Sequence, residues 1–102
     1  MFYAILWLSM IKTFADKETE KIYAGFVSRR LPIDIQQVVR RKLRQLNNAE
    51  NINDLRIPPA NRLEALKGEY KGLYSIRVNN QWRIMFRFVD GDVFDVEMID
   101  YH

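Results

Sequence analysis

The pattern that most narrows the folds open to this chain lies in its last third. Apolar residues recur there at every second position: Tyr74, Ile76 and Val78, then Trp82, Ile84, Phe86 and Phe88, then Phe94, Val96 and Met98. A period of two marks strands that bury one face and wet the other. Asn79-Asn80 and Asp90-Gly91 separate the runs, and both are hairpin-turn sequences. The spacing predicts an antiparallel meander over residues 73–78, 82–89 and 93–99. Joining the three apolar sets on one face needs an odd number of residues in each turn. With three-residue turns, Ile76 faces Ile84 and Phe86 faces Val96.

An apolar sheet face needs a cover, and the N-terminal half supplies one. Residues 11–14 read as a short first strand. Asp16 is a good helix N-cap, with Glu18 and Glu20 in the first turn, where the helix dipole favours anions. Ile22, Tyr23 and Phe26 form the apolar set of this helix, and Gly25 marks its end. Pro32 opens a second helix, in which Ile35, Val38, Val39, Leu43 and Leu46 keep the 3.6-residue period. Arg40, Arg41 and Arg44 lie on its opposite side. Lys42 falls inside the stripe and is expected to snorkel. Asn47 and Asn48 end the helix. Residues 51–61, with Pro58-Pro59, show neither period and read as the longest loop; residues 63–66 are a shorter strand candidate. The order β, α, α, then a β meander gives an α+β fold of two layers, with two N-terminal helices packed on a mainly antiparallel sheet.

Composition bounds the chemistry. A chain of 102 residues makes one domain. It has no cysteine, which removes disulfides, a thiolate nucleophile and Cys-based zinc sites and fits a reducing, cytoplasmic setting. One histidine rules out a multi-histidine metal site. Sixteen basic residues against thirteen acidic leave a net charge of +3, which permits nucleic-acid binding without announcing it. Residues 1–9 carry no charge. The run is too short for a membrane span, which needs about 20 apolar residues. It also lacks the basic start and small-residue cleavage site of a signal peptide. Two readings stand: an upstream start codon with Met10 as the ordinary beginning, or an extra strand or partner contact. The domain proper is expected over 10–102, with 1–9 as an apolar extension.

The open face of the predicted sheet carries Ser75, Arg77, Arg83, Met85, Arg87, Asp95, Glu97, Ile99 and Tyr101. Arg87 opposite Asp95 reads as a surface cross-strand pair. Arg77 opposite Arg83 places like charges together, which is destabilising. Either an anion such as a phosphate backbone relieves the pair, or both side chains splay into water. Arg62, Lys67 and Lys71 add base to the approach. Residues 62–87 hold six basic and two acidic side chains, and residues 90–100 hold five acids and no base. Such segregation suits a polyanion, although a charged run is also an ordinary solvated face.

The sequence closes Asp100-Tyr101-His102. An unperturbed imidazole titrates near pH ~6.5 and can exchange protons at neutrality. A tyrosine can donate a hydrogen bond or stack on a base. Beside Arg83, these groups have what metal-free RNA cleavage needs: a base for the 2′-hydroxyl, an acid for the leaving 5′-oxygen and a guanidinium for the phosphorane charge. A frayed end is the plainer reading of a terminal histidine.

Several blocks, in order, resemble one family. Met10-Ile11-Lys12-Thr13-Phe14 looks like its opening strand. The run Asp54-Leu55-Arg56-Ile57-Pro58-Pro59-Ala60-Asn61-Arg62-Leu63-Glu64 and the following Leu66-Lys67-Gly68 are the most distinctive blocks. Tyr74-Ser75-Ile76-Arg77-Val78, Gln81-Trp82-Arg83-Ile84 and Asp100-Tyr101-His102 complete the match. Over residues 10–102 the chain resembles the HigB toxins of type II toxin–antitoxin modules, a branch of the RelE superfamily. The resemblance implies a RelE-like two-layer fold and ribosome-dependent mRNA endoribonuclease activity in the decoding site, with no metal or cofactor. It also implies inhibition by HigA, a helix-turn-helix antitoxin. His102 matches the terminal catalytic histidine of the family and Arg83 the arginine that stabilises the transition state. Asp100 and Tyr101 match the residues preceding the histidine, and Lys67 matches a site lysine. Some members carry an arginine in the turn where this chain has Asn79 and Asn80; the strand face suggests Arg77 as its substitute. Ala60 stands where glycine is frequent. A non-catalytic RelE-fold protein that binds an antitoxin or RNA is the alternative, and the joint presence of Arg83, Tyr101 and His102 speaks for the enzyme.

Overall fold

The computed structural model describes residues 10–101. The expectations for residues 1–9 and for His102 lie outside the described residues. Two helices, α1 (Lys17–Tyr23) and α2 (Ile33–Asn48), precede a four-stranded antiparallel sheet of β1 (Glu64–Ala65), β2 (Tyr74–Arg77), β3 (Trp82–Val89) and β4 (Asp92–Asp100). The strands neighbour one another in sequence order. The first strand expected over residues 11–14 lies beyond β4 and runs parallel to it, through bridges from Ile11 to Val93 and from Phe14 to Val96.

The Asp16 side chain caps α1 as its residue type predicts, accepting from the Thr19 N–H at 2.8 Å. The helix stops at Tyr23, before Gly25, whose φ is +99°. Phe26 therefore falls outside α1 and is 66% exposed, against its expected place in the apolar set. Thr19 takes the buried position instead, and its hydroxyl accepts from the Met98 N–H of β4 at 3.0 Å. In α2, Ile35, Val39, Leu43 and Leu46 are buried as the period requires. Arg40 does not point away with Arg41 and Arg44. Its Nε donates to the Ile22 carbonyl at 2.8 Å, a helix-end acceptor that also takes the Gly25 N–H at 3.1 Å.

The core joins Ile22 and the α2 stripe to Leu55, Ile76, Ile84, Phe86, Val93, Val96 and Met98. The first hairpin has the expected three-residue turn. Val78 N–H donates to the Trp82 carbonyl at 2.9 Å across Asn79, Asn80 and Gln81, and Ile76 pairs with Ile84. The second turn differs from expectation. Val89 pairs with Asp92 across only Asp90 and Gly91. Both turn residues have positive φ, 49° and 86°, as a type I′ turn requires. An even turn should put the apolar set of β4 on the wrong face. A bulge corrects this. The register slips between Met85 and Arg87, opposite Asp95, whose φ is 56°. Before the slip Val93 enters the core and Phe94 sits opposite Arg87; after it Val96 and Met98 are buried. Phe94 is thus displaced from the core face by Val93. The Asp95 N–H freed by the bulge donates to Thr13 Oγ1 at 2.8 Å.

Candidate active site

The far face of the sheet holds the charged residues, and an edge segment folds over part of it. Residues 51–61, read as loop, form two short 3-10 turns, Ile52–Arg56 and Pro59–Asn61. They lead into β1, where Glu64 pairs with Ser75. Directly opposed residues share a face, so Glu64, Ser75 and Met85 stand together beside the Arg77–Arg83 pair.

Arg83 is not splayed into water. It is 6% exposed, buried on this face and not among the helices. Its Nε donates to Ser75 Oγ at 2.7 Å, and its Nη2 donates to the Arg62 carbonyl at 2.5 Å and the Ser75 carbonyl at 3.2 Å. The Glu64 carboxylate lies 4.0 Å from Nη2. The Tyr101 ring lies 5.2 Å from the guanidinium carbon, within cation–π range. Burial lowers the arginine's pKa, and Glu64 and then Tyr101 oppose that shift. The repulsion expected between Arg77 and Arg83 is met inside the protein. Arg83 is tied down as described, and Arg77 Nη2 donates to Asn80 Oδ1 at 2.6 Å.

Tyr101 is placed by both ends. Its N–H donates to the Gln81 carbonyl at 2.5 Å, and its hydroxyl donates to Glu64 Oε1 at 3.2 Å. The result is a cleft of about 420 Å³ lined by Arg62, Arg77, Arg83, Tyr101 and the Asn79-Asn80 turn, with Ala60 at its edge. Three guanidinium groups and no carboxylate line it. A second hollow shares Arg62, Arg83 and Tyr101 and adds Leu63 and Glu64. A third, of about 260 Å³, lies on the other side of Tyr101 against Leu66, Tyr70, Met85, Ile99 and Asp100. The arrangement can hold a phosphate among arginines, with an aromatic ring and a carboxylate at its margin.

The structure brings together Arg62, Arg77, Arg83 and Tyr101 of the expected site. Asp100 adjoins through Tyr101, and its carboxylate accepts from Gln81 Nε2 at 3.3 Å. Lys67 and Lys71 are exposed at the two ends of a further 3-10 turn, Gly68–Tyr70, and line none of these hollows. Arg87 is not part of the cleft. It lies four residues along β3, about 13 Å away, paired with Asp95 at 2.8 Å and stacked over Phe94. Sequence reasoning missed Glu64 and Ser75. A two-fold alternation puts Ser75 on the right face, but nothing local shows that β1 docks beside it. Among the described residues, no three His, Cys, Asp or Glu side chains cluster as metal ligands, and no helix is long and apolar enough to cross a membrane.

Two helices on an antiparallel meander with a covered edge is the RelE-like toxin fold. The chain superposes on a chain of the heterotetrameric YoeB–YefM toxin–antitoxin complex of Staphylococcus aureus with a TM-score of 0.57, at 17% identity, covering 92% of this chain and 99% of that one. The family is narrower than the fold. The sequence model described as the RelE-like toxin of type II toxin–antitoxin system HigB matches residues 12–102. Toxin HigB-1 of Vibrio cholerae serotype O1 is 47% identical over 83 residues, spanning 80% of this chain and 87% of the relative. Endoribonuclease HigB of Proteus vulgaris is 31% identical over 93 residues, spanning 91% of this chain and all of the relative. This protein belongs to the HigB family of RelE-like toxins.

Proposed function

We propose that this protein is an endoribonuclease that cuts mRNA on the ribosome, in the decoding site, and so stops translation in the cytoplasm, and that a HigA-type helix-turn-helix antitoxin restrains it. The observation that carries this reading is the held guanidinium of Arg83. Nε and Nη2 are spent on Ser75 and Arg62, while Nη1 has no protein hydrogen bond among the described residues. A fixed donor aimed at a cleft costs no reorganisation when charge develops before it. Arg62 and Arg77 suit the flanking phosphates, and exposed Lys67 and Lys71 extend the basic approach. The name of the Proteus vulgaris relative supports the activity.

The reaction needs no water in its cutting step. The 2′-oxygen attacks the adjacent phosphorus as a base takes its proton. The bond from phosphorus to the 5′-oxygen breaks as an acid protonates that oxygen. The ends are a 2′,3′-cyclic phosphate and a 5′-hydroxyl. Arg83 balances the charge gained by the phosphorane oxygens. Glu64, at the cleft margin beside Arg83 and Tyr101, is suited to accept the first proton. His102, by its place in the family's closing tripeptide, and Tyr101 are the groups for the second, with Asp100 orienting them.

The test is expression without an antitoxin. Wild type should arrest growth and leave cut mRNA with 5′-hydroxyl ends, and Arg83→Ala and His102→Ala should each relieve the arrest. A folded Arg83→Ala/His102→Ala double variant as toxic as wild type would refute the assigned site.

A further inference from the structure

Lys42 does not snorkel. It is 9% exposed on α2, and burial lowers its pKa, with Arg41 and Arg77 adding to the shift. Its ammonium meets an amide oxygen: Nζ donates to Asn61 Oδ1 at 2.5 Å. Asn61 is wholly buried. Its Nδ2 donates to the Leu55 carbonyl and to Gln45 Oε1, both at 3.1 Å. Gln45 sits three residues after Lys42, on the same side of α2, and its own Nε2 donates to the Ile57 carbonyl at 2.5 Å. Two helix side chains thus fix the segment that precedes Arg62.

Arg62 is the residue that this anchor delivers. Its backbone is left-handed, φ 46° and ψ 56°, a conformation that a side chain beyond glycine adopts at a cost and keeps only where neighbours impose it. Its carbonyl is the one that grips Arg83 Nη2. A chain of contacts therefore runs from α2 through Lys42, Asn61 and the Arg62 carbonyl to the guanidinium at the cleft. A buried ammonium is costly to desolvate, and an apolar side chain of similar length would fill the position more cheaply. The stripe position of Lys42 calls for such a side chain.

We propose that Lys42 and Asn61 are positioning residues of the site: they hold the left-handed Arg62 so that its carbonyl locks the guanidinium of Arg83 toward the cleft. The effect on rate rests on the nuclease reading; the effect on the guanidinium does not. Lys42→Met keeps the stem and removes the donor. Gln45→Met, at a half-buried site, removes the second helix contact and serves if the first variant folds poorly. The guanidinium is followed directly by nitrogen NMR on the full chain. In wild type, the bond from Nη2 to the Arg62 carbonyl should slow rotation about the Nε–Cζ bond of Arg83 and so resolve its two terminal nitrogens. In the variants those signals should merge while the melting transition remains cooperative. On ribosomes carrying mRNA, kcat should fall roughly 10- to 100-fold with KM unchanged, as misplacement by an ångström can cost that much. Folded variants that keep resolved Arg83 signals would overturn the proposal. So would variants in which the signals merge while kcat stays at the wild-type value. If wild type itself cuts no RNA, the nuclease reading fails, and the NMR comparison alone still decides the positioning role.

Discussion

Arg83→Lys separates charge from shape at the site. The guanidinium presents two edges, and the protein occupies one with Ser75 and the Arg62 carbonyl. Arg83 also lines the cleft, and Nη1 is the nitrogen that these bonds leave over. An ammonium has a single centre. If it bonds Ser75 Oγ or the Arg62 carbonyl, it is drawn back from the phosphate. If it reaches for the phosphate, buried acceptors lose a charged donor, at about 1.5–3 kcal/mol for such a bond. On the proposed nuclease reading, the lost contact to the phosphorane is worth roughly 2.7–4 kcal/mol, or about 10²–10³ in rate. The substitution should therefore cost nearly as much as Arg83→Ala, although it keeps the charge. The assay is single-turnover cleavage of ribosome-bound mRNA, with a urea melt to confirm folding. A folded Arg83→Lys variant with a tenth or more of wild-type rate would refute the argument, because charge alone would then suffice.

Two further expectations concern the fold. Asp16→Ala removes the cap of α1 and leaves the Thr19 N–H without its acceptor; it should cost about 1 kcal/mol in a urea melt, and an unchanged midpoint would count against the cap. Burial, and next the Asp16 charge, raise the pKa of Glu97. Its folded value then lies above the unfolded one, so between the two the native state keeps a proton that the unfolded chain has released. Stability from this group is present below the unfolded value and falls as pH rises through the folded one. Glu97→Gln should flatten that fall and raise the melting temperature at neutral pH; a lower melting temperature would reverse the sign.

Much of the layout could be read along the chain because it depends on local pattern. The α2 stripe, the Asp16 cap and the three-residue turn before Trp82 are each set by neighbours a few positions apart. The second hairpin shows where that reasoning stops. Alternation alone demanded an odd turn, whereas the chain uses a two-residue turn and restores the register with a bulge at Asp95, trading Phe94 for Val93 in the core. The site divides in the same way. Arg77, Arg83 and Tyr101 follow from strand parity, but their partners Glu64, Ser75 and the Arg62 carbonyl arrive from an edge segment that no local period announces. Lys42 reads as a misfit in its stripe, and only the position of Asn61 explains it.

The pairing of residues 11–14 along β4 has a consequence for synthesis. Thr13 meets Asp95 and Thr19 meets Met98, contacts that span about eighty positions, and loops of that length close slowly. The sheet cannot seal until β4 has left the exit tunnel, and Arg83 gains its Tyr101 lid later still. Until both have emerged, the cleft that Arg83 and Tyr101 line is incomplete.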